Sequence, residues 1–142
     1  MDEALLLDNQ LCFPLYACAR RVVGKYTPFL KPLNLTYTQY IVFLVLWEQK
    51  TASVRELCRR LYLDSGTLTP VLKKMESEGY LTRERSAEDE RVVTVSLTEA
   101  GLAMKEKARD IPMKVGACLK LGEEEAKMLY MLLYQVLKET ED

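Results

Sequence analysis

Apolar positions between Leu61 and Gly101 follow two successive periods. Behind Asp64, the residues Leu68, Val71, Leu72 and Met75 recur at i, i+3, i+4 and i+7, which predicts a helix with one buried stripe and Asp64 as its N-cap. Gly79 follows the last periodic residue as a C-cap, and the period then drops to two. Tyr80 to Arg85 and Arg91 to Leu97 read as the strands of a hairpin, the second alternating Val93, Val95 and Leu97 against Val92, Thr94 and Ser96. Ser86 to Glu90 is its charged tip. Upstream, Ser53 and Glu56 have the spacing of a capping box that opens a short helix through Leu57 and Leu61. Two helices joined at Tyr62 and Leu63 and followed by a hairpin make a helix-turn-helix with a wing.

The flanks are helical. From about Asn9 to Leu30 the spacing of Leu11, Leu15, Cys18, Val22, Tyr26 and Phe29 predicts one long helix, with Pro14 tolerated near its start and Lys31 to Asn34 ending it. Thr36 with Gln39 is a second capping box; Tyr40 to Trp47 is apolar on every side, and extension to about Gln49 favours a buried helix over a strand. Thr98 should N-cap another long helix with Glu99 in its first turn, kinked at Pro112 and weakened at Gly116 and Gly122. Glu123 to Glu125 then open a final helix whose stripe is Ala126, Leu129, Tyr130, Leu133, Val136 and Leu137. The fold class expected is mainly α with a small β-hairpin wing (α+β), a single domain over residues 1–142 with its winged helix-turn-helix at 51–98. The helices at 1–34 and 102–142 have no sheet to cover, so they are expected to pack on those of a second subunit as a two-fold homodimer, with an intramolecular bundle as the alternative.

Composition bounds the chemistry. A chain of 142 residues that is 49% apolar suffices for one domain, no apolar run reaches the length of a bilayer, and the acidic start MDEALLLDNQ is unlike a signal peptide. A cytoplasmic protein with no membrane partner is expected. Its four cysteines then read as free thiols; without a C-x-x-C pair or any histidine, neither a metal site nor a cofactor is expected. Charge does not point to nucleic acid: the net charge is -1 and the pI about 5.7. Between Thr51 and Leu97 the basic residues are matched in number by acidic ones, so affinity for DNA has to come from sorting charges onto faces. The outer face of the helix that begins at Ser65 carries such a set, Thr67, Thr69, Lys73, Lys74 and Ser77, suited to phosphates and base edges.

The order of elements, with LYLDSGTLTPVLKKME, DERVVTVSLTEAG, LLLDNQLCF and LNLTYTQYIVFLVLWE, resembles the MarR family of bacterial regulators and, within it, the organic-hydroperoxide-sensing OhrR-like branch. The likeness runs nearly the whole chain. It implies a homodimeric repressor, not an enzyme, that binds a pseudo-palindromic double-stranded DNA operator and releases it on oxidation by an organic hydroperoxide. In the wing, Arg91 would enter the minor groove and Asp89 orient it.

By residue pattern alone, Cys12 between Leu11 and Phe13 reads as a small core side chain, although its place in the first turns of a helix favours a thiolate. The resemblance makes it the peroxide sensor, with Tyr16 and Tyr26 completing the site. Tyr26 lies fourteen residues beyond Cys12, ~21 Å along a straight helix, so such a site has to be shared between chains. Cys118 stands about where some OhrR-like members carry a resolving cysteine, whereas others are capped by a small thiol; Cys18 and Cys58 are assigned no redox role. Two alternatives remain: a MarR-type repressor released by a non-covalent lipophilic ligand, and, from a different class, a thiol peroxidase, which would need an arginine or threonine beside the thiolate.

Overall fold

The computed structural model describes residues 2–141, which form two compact units that divide between Ile111 and Pro112. The first unit holds α1 (Cys12–Leu30), α2 (Tyr37–Gln49), β1 (Thr51–Ser53), α3 (Val54–Leu61), α4 (Ser65–Ser77), β2 (Leu81–Arg85), β3 (Val93–Leu97) and α5 (Glu99–Ala108). After α6 (Ile111–Leu119), which crosses the boundary, the second unit is completed by α7 (Glu123–Glu139). No helix among the described residues is long and apolar enough to cross a membrane.

The winged helix is built by short-range devices. Thr36 and Gln39 close both arms of their box at 3.2 and 3.0 Å, and α2 is buried through Tyr40, Val42, Phe43, Val45 and Leu46. Ser53 caps α3 by accepting from the Glu56 amide, one arm of the expected box. Tyr62, left-handed at φ 55°, turns the chain towards α4, where Asp64 accepts from the Thr67 amide at 2.6 Å. Leu68, Leu72 and Met75 are buried as the stripe requires. At the other end Gly79 takes φ 85° while the Gly79 and Tyr80 amides donate to Glu76 and Met75, a Schellman closure in which glycine avoids a Cβ penalty.

Three sequence expectations change. The first helix begins at Cys12, not Asn9: residues 3–5 and 7–9 form 3-10 turns held by the Asn9 and Gln10 side chains, which donate to the carbonyls of Glu3, Ala4 and Leu6. The wing is a three-stranded antiparallel sheet ordered β1-β3-β2, because Thr51–Ser53 pairs with Thr94–Ser96. The kink expected at Pro112 is a break at Arg109 and Asp110, since proline has no amide to donate to the Ala108 carbonyl.

A tight joint ties the wing to α5. Thr98 caps α5 at the Gly101 amide and donates its hydroxyl to the Gly79 carbonyl at 2.6 Å. The Trp47 indole, stacked on Phe43, donates to the Gly101 carbonyl at 3.0 Å. A Cβ on Gly101 would meet the Tyr80 carbonyl oxygen at 2.2 Å, so only glycine fits this approach.

Candidate functional site

Between α3, α4 and the hairpin opens a cleft of about 940 Å³. Ser65, Thr69 and Lys73 of α4 line it, facing Arg83, Arg85 and Arg91 of the hairpin, with Arg55 at its edge and Asp89 the one acidic lining residue. The near-neutral chain is thus sorted: five cations and one carboxylate line the space between a helix and a wing. Arg55, Arg83 and Arg85 were not singled out from the sequence, because β2 and α3 give no local sign of which face meets α4. Thr67 and Lys74 are not among the residues that line this cleft. The Thr67 hydroxyl and amide both engage Asp64 and hold its carboxyl below its ordinary range, and Lys74 lines a shallow recess with Lys31, Asn34 and Thr36.

The wing tip is preset. Arg91 sends Nε and Nη2 to the two carboxylate oxygens of Asp89 at 3.1 and 3.3 Å, its amide adds a third bond at 3.0 Å, and the Arg91 side chain as a whole remains 91% exposed. These bonds, with Arg55 contributing less, lower the Asp89 pKa. Arg85 spans the tip by donating to the Glu90 carbonyl at 2.8 Å. An arginine held upright by its neighbour and free of other partners can enter a narrow groove with little further ordering.

The second site is on α1. Cys12 is the first helical residue, its thiol exposed, and the helix start has no side-chain cap. Exposure rules out the core reading within one chain. Tyr16 lies one turn on, 59% exposed, with the Arg20 guanidinium 4.8 Å from its ring centre. Tyr26 is at the opposite end, packed on Tyr37 and Tyr40 with ring centres 4.8 and 5.5 Å away, and burial raises its pKa. Burial likewise pushes the Tyr40 hydroxyl up to about 12. One chain therefore joins Cys12 to Tyr16 and leaves Tyr26 apart. Cys118, in the last turn of α6, is exposed and donates to the Lys114 carbonyl at 3.4 Å, Cys18 is exposed, and Cys58 is half-buried with its thiol pKa raised by burial and then by Asp64. Among the described residues no three side chains of metal-binding type come together.

Residues 25–108 match the family model described as transcriptional regulator SarA/Rot. The chain is 52% identical over 136 residues to the organic hydroperoxide resistance transcriptional regulator of Bacillus subtilis, covering 96% of this chain and 92% of that protein. The chain belongs to the MarR/SarA family of winged-helix transcriptional regulators. Among solved structures, reduced AbfR bound to DNA superposes with a TM-score of 0.77 at 37% identity, over 94% of this chain and 93% of that one. Disulfide-formed AbfR, at the same identity and over 94% and 90%, gives 0.63. The reduced form of MarR from E. coli gives 0.72 at 27% identity over 90% and 96%. Within this family the cleft between α4 and the hairpin is the winged-helix face, and the chain is a regulator rather than an enzyme.

Proposed function

We propose that this chain is a homodimeric, cytoplasmic DNA-binding repressor that senses organic hydroperoxides through Cys12 and releases its operator when that thiol is oxidised. What carries the reading is the place of Cys12: an exposed thiol opening a helix whose apolar residues Phe13, Leu15 and Val23 are uncovered, in a chain half identical to a hydroperoxide resistance regulator. The helices at 1–34 and 102–142 supply the dimer contact, and the exposed Leu129, Leu133 and Val136 of α7 suit such a role. Two copies of α4 then enter successive major grooves from Ser65 onward, Lys73 and Arg55 meet phosphates, and Arg91, steadied by Asp89, enters the minor groove.

The thiolate attacks the distal peroxide oxygen and breaks the O–O bond, giving a sulfenic acid and an alkoxide that takes a proton from water to become the alcohol, and the thiol of Cys118 of the other chain or of a small molecule condenses with the sulfenic acid, releasing water. The larger group enters a space lined by Tyr16 and by the other copy's Tyr26, and the packed interface moves to a second arrangement. AbfR supports a change of this kind: against one and the same chain its reduced, DNA-bound form and its disulfide form superpose at 0.77 and 0.63, so AbfR itself differs in shape between the two. Going from almost fully bound to almost fully free takes ~5.5 kcal/mol of preference between the two arrangements.

Operator binding by the native protein and by Cys12→Ser, with and without cumene hydroperoxide, tests the proposal. Both should bind when reduced and only the native protein should dissociate. Normal dissociation of Cys12→Ser on adding peroxide would refute the sensor assignment and favour a ligand-released repressor.

A further inference from the structure

The reading helix and the wing are joined by one carboxylate. Glu76, near the C-terminal end of α4, accepts three bonds from Arg83 in the middle of β2: Nε at 3.2 Å and Nη2 at 3.1 Å on one oxygen, and the backbone amide at 3.0 Å on the other. β2 is an edge strand, so the Arg83 amide has no strand neighbour on that side and would otherwise face solvent. Arg83 pairs in register with Val95, which is fully buried, and Arg91 stands four residues before Val95, in the turn that precedes the start of β3 at Val93. Four residues of chain give a lever of at most ~13 Å from anchor to tip. A rotation of the hairpin by ~10° about the anchor moves the tip by ~2 Å, enough to spoil hydrogen-bond geometry in a groove.

We propose that Glu76 is a positioning residue for the wing: by holding Arg83 against α4 it sets the spacing between the reading helix and Arg91, and so the pairing of major-groove with minor-groove contact. The inference rests on the function proposed above. It also runs against plain electrostatics. A carboxylate beside a DNA-binding face repels phosphates, so if Glu76 were only a surface charge its removal would tighten binding.

The test is a double-mutant cycle in the full-length reduced protein, using a duplex selected by the native protein from a random-sequence pool. Glu76→Gln keeps shape and an acceptor for the Arg83 amide but loses the charge that grips the guanidinium. It should weaken binding roughly 10-fold in the native background and less than about 2-fold in an Arg91→Ala background, since a misplaced arginine and an absent one cost alike. Arg83→Lys, which preserves net charge but cannot present the two-nitrogen fork, should repeat this pattern. Thermal unfolding of each variant separates loss of fold from loss of wing placement. Tighter binding by Glu76→Gln, additive effects with Arg91→Ala, or native behaviour of Arg83→Lys would each overturn the inference and leave the repressor reading intact. An Arg91→Ala variant that binds as the native protein does would refute the wing assignment, and the inference with it.

Discussion

Replacing Gly101 by alanine sets two effects of known size against each other. At the third position of α5, behind the Thr98 cap, alanine gains ~1 kcal/mol of helix propensity over glycine. Against this, the new Cβ would lie 2.2 Å from the Tyr80 carbonyl oxygen and 2.6 Å from Leu97 Cδ1. The carbonyl cannot swing away, because it accepts from the Thr98 amide at 3.1 Å and belongs to the turn closed by Gly79. Relief requires moving the start of α5 off the sheet, which also strains the Trp47 bond to the Gly101 carbonyl. Overpacking of this kind costs about 1–3 kcal/mol, and the contact with a fixed backbone atom puts the cost at the upper end, so a net loss of ~1–2 kcal/mol is expected. For a domain of this size that is a fall in Tm of roughly 3–6 °C, measured by circular dichroism at matched protein concentration because dimer dissociation shifts the midpoint. Trp47 is the chain's single tryptophan, so its emission should shift to the red in the variant as the indole loses its partner. A Tm equal to or above that of the native protein would refute the argument, since it would mean that helix propensity outweighs the clash.

Lys73 lines the cleft and Lys74 does not, so Lys73→Ala should flatten the slope of log affinity against log salt by roughly one unit and Lys74→Ala by less. Equal slopes for the two would place the far flank of α4 on phosphates as well. A stoichiometric hydroperoxide dose followed by non-reducing electrophoresis should show a covalent dimer that is lost in both Cys12→Ser and Cys118→Ser. A covalent dimer that survives Cys118→Ser would assign the resolving role to Cys18 or Cys58.

What could be read from the residues was what is decided within a few positions. Asp64 with the Thr67 amide, Thr36 with Gln39, and Gly79 in its left-handed turn each complete their bonds within three or four residues, and the stripe of Leu68, Leu72 and Met75 follows from helical spacing alone. What depends on distant partners could not be read. Thr51–Ser53 is a strand only because Ser96 lies beside Thr51 in the fold, and three residues carry too little period to show it. The start of α1 slipped for a related reason: the apolar period continues through Leu11, while the Asn9 and Gln10 side chains close 3-10 turns instead. The balanced charge concealed the basic cleft, because Glu76 is paired with Arg83 and Asp89 with Arg91, pairings that only folding fixes in space.

Under the proposed function, the division of the sensor between chains follows from helix geometry rather than from any one contact. Cys12 and Tyr26 belong to the same straight element, Cys12–Leu30, so ~21 Å of helix separates them in every conformation that keeps α1 intact. A pocket using both has to be completed by a second α1 running the opposite way, which places each thiol against the other chain's tyrosine. Tyr26 in turn packs on Tyr37 and Tyr40 of α2, Tyr40 lies 6.4 Å from Trp47 between ring centres, and Trp47 holds the Gly101 carbonyl at the foot of the wing. Under the proposed function, a bulkier group at Cys12 therefore presses on a continuous aromatic wall of the other subunit that ends where the Gly79 turn closes α4. Two reading helices that have to match grooves ~34 Å apart tolerate little displacement of either one.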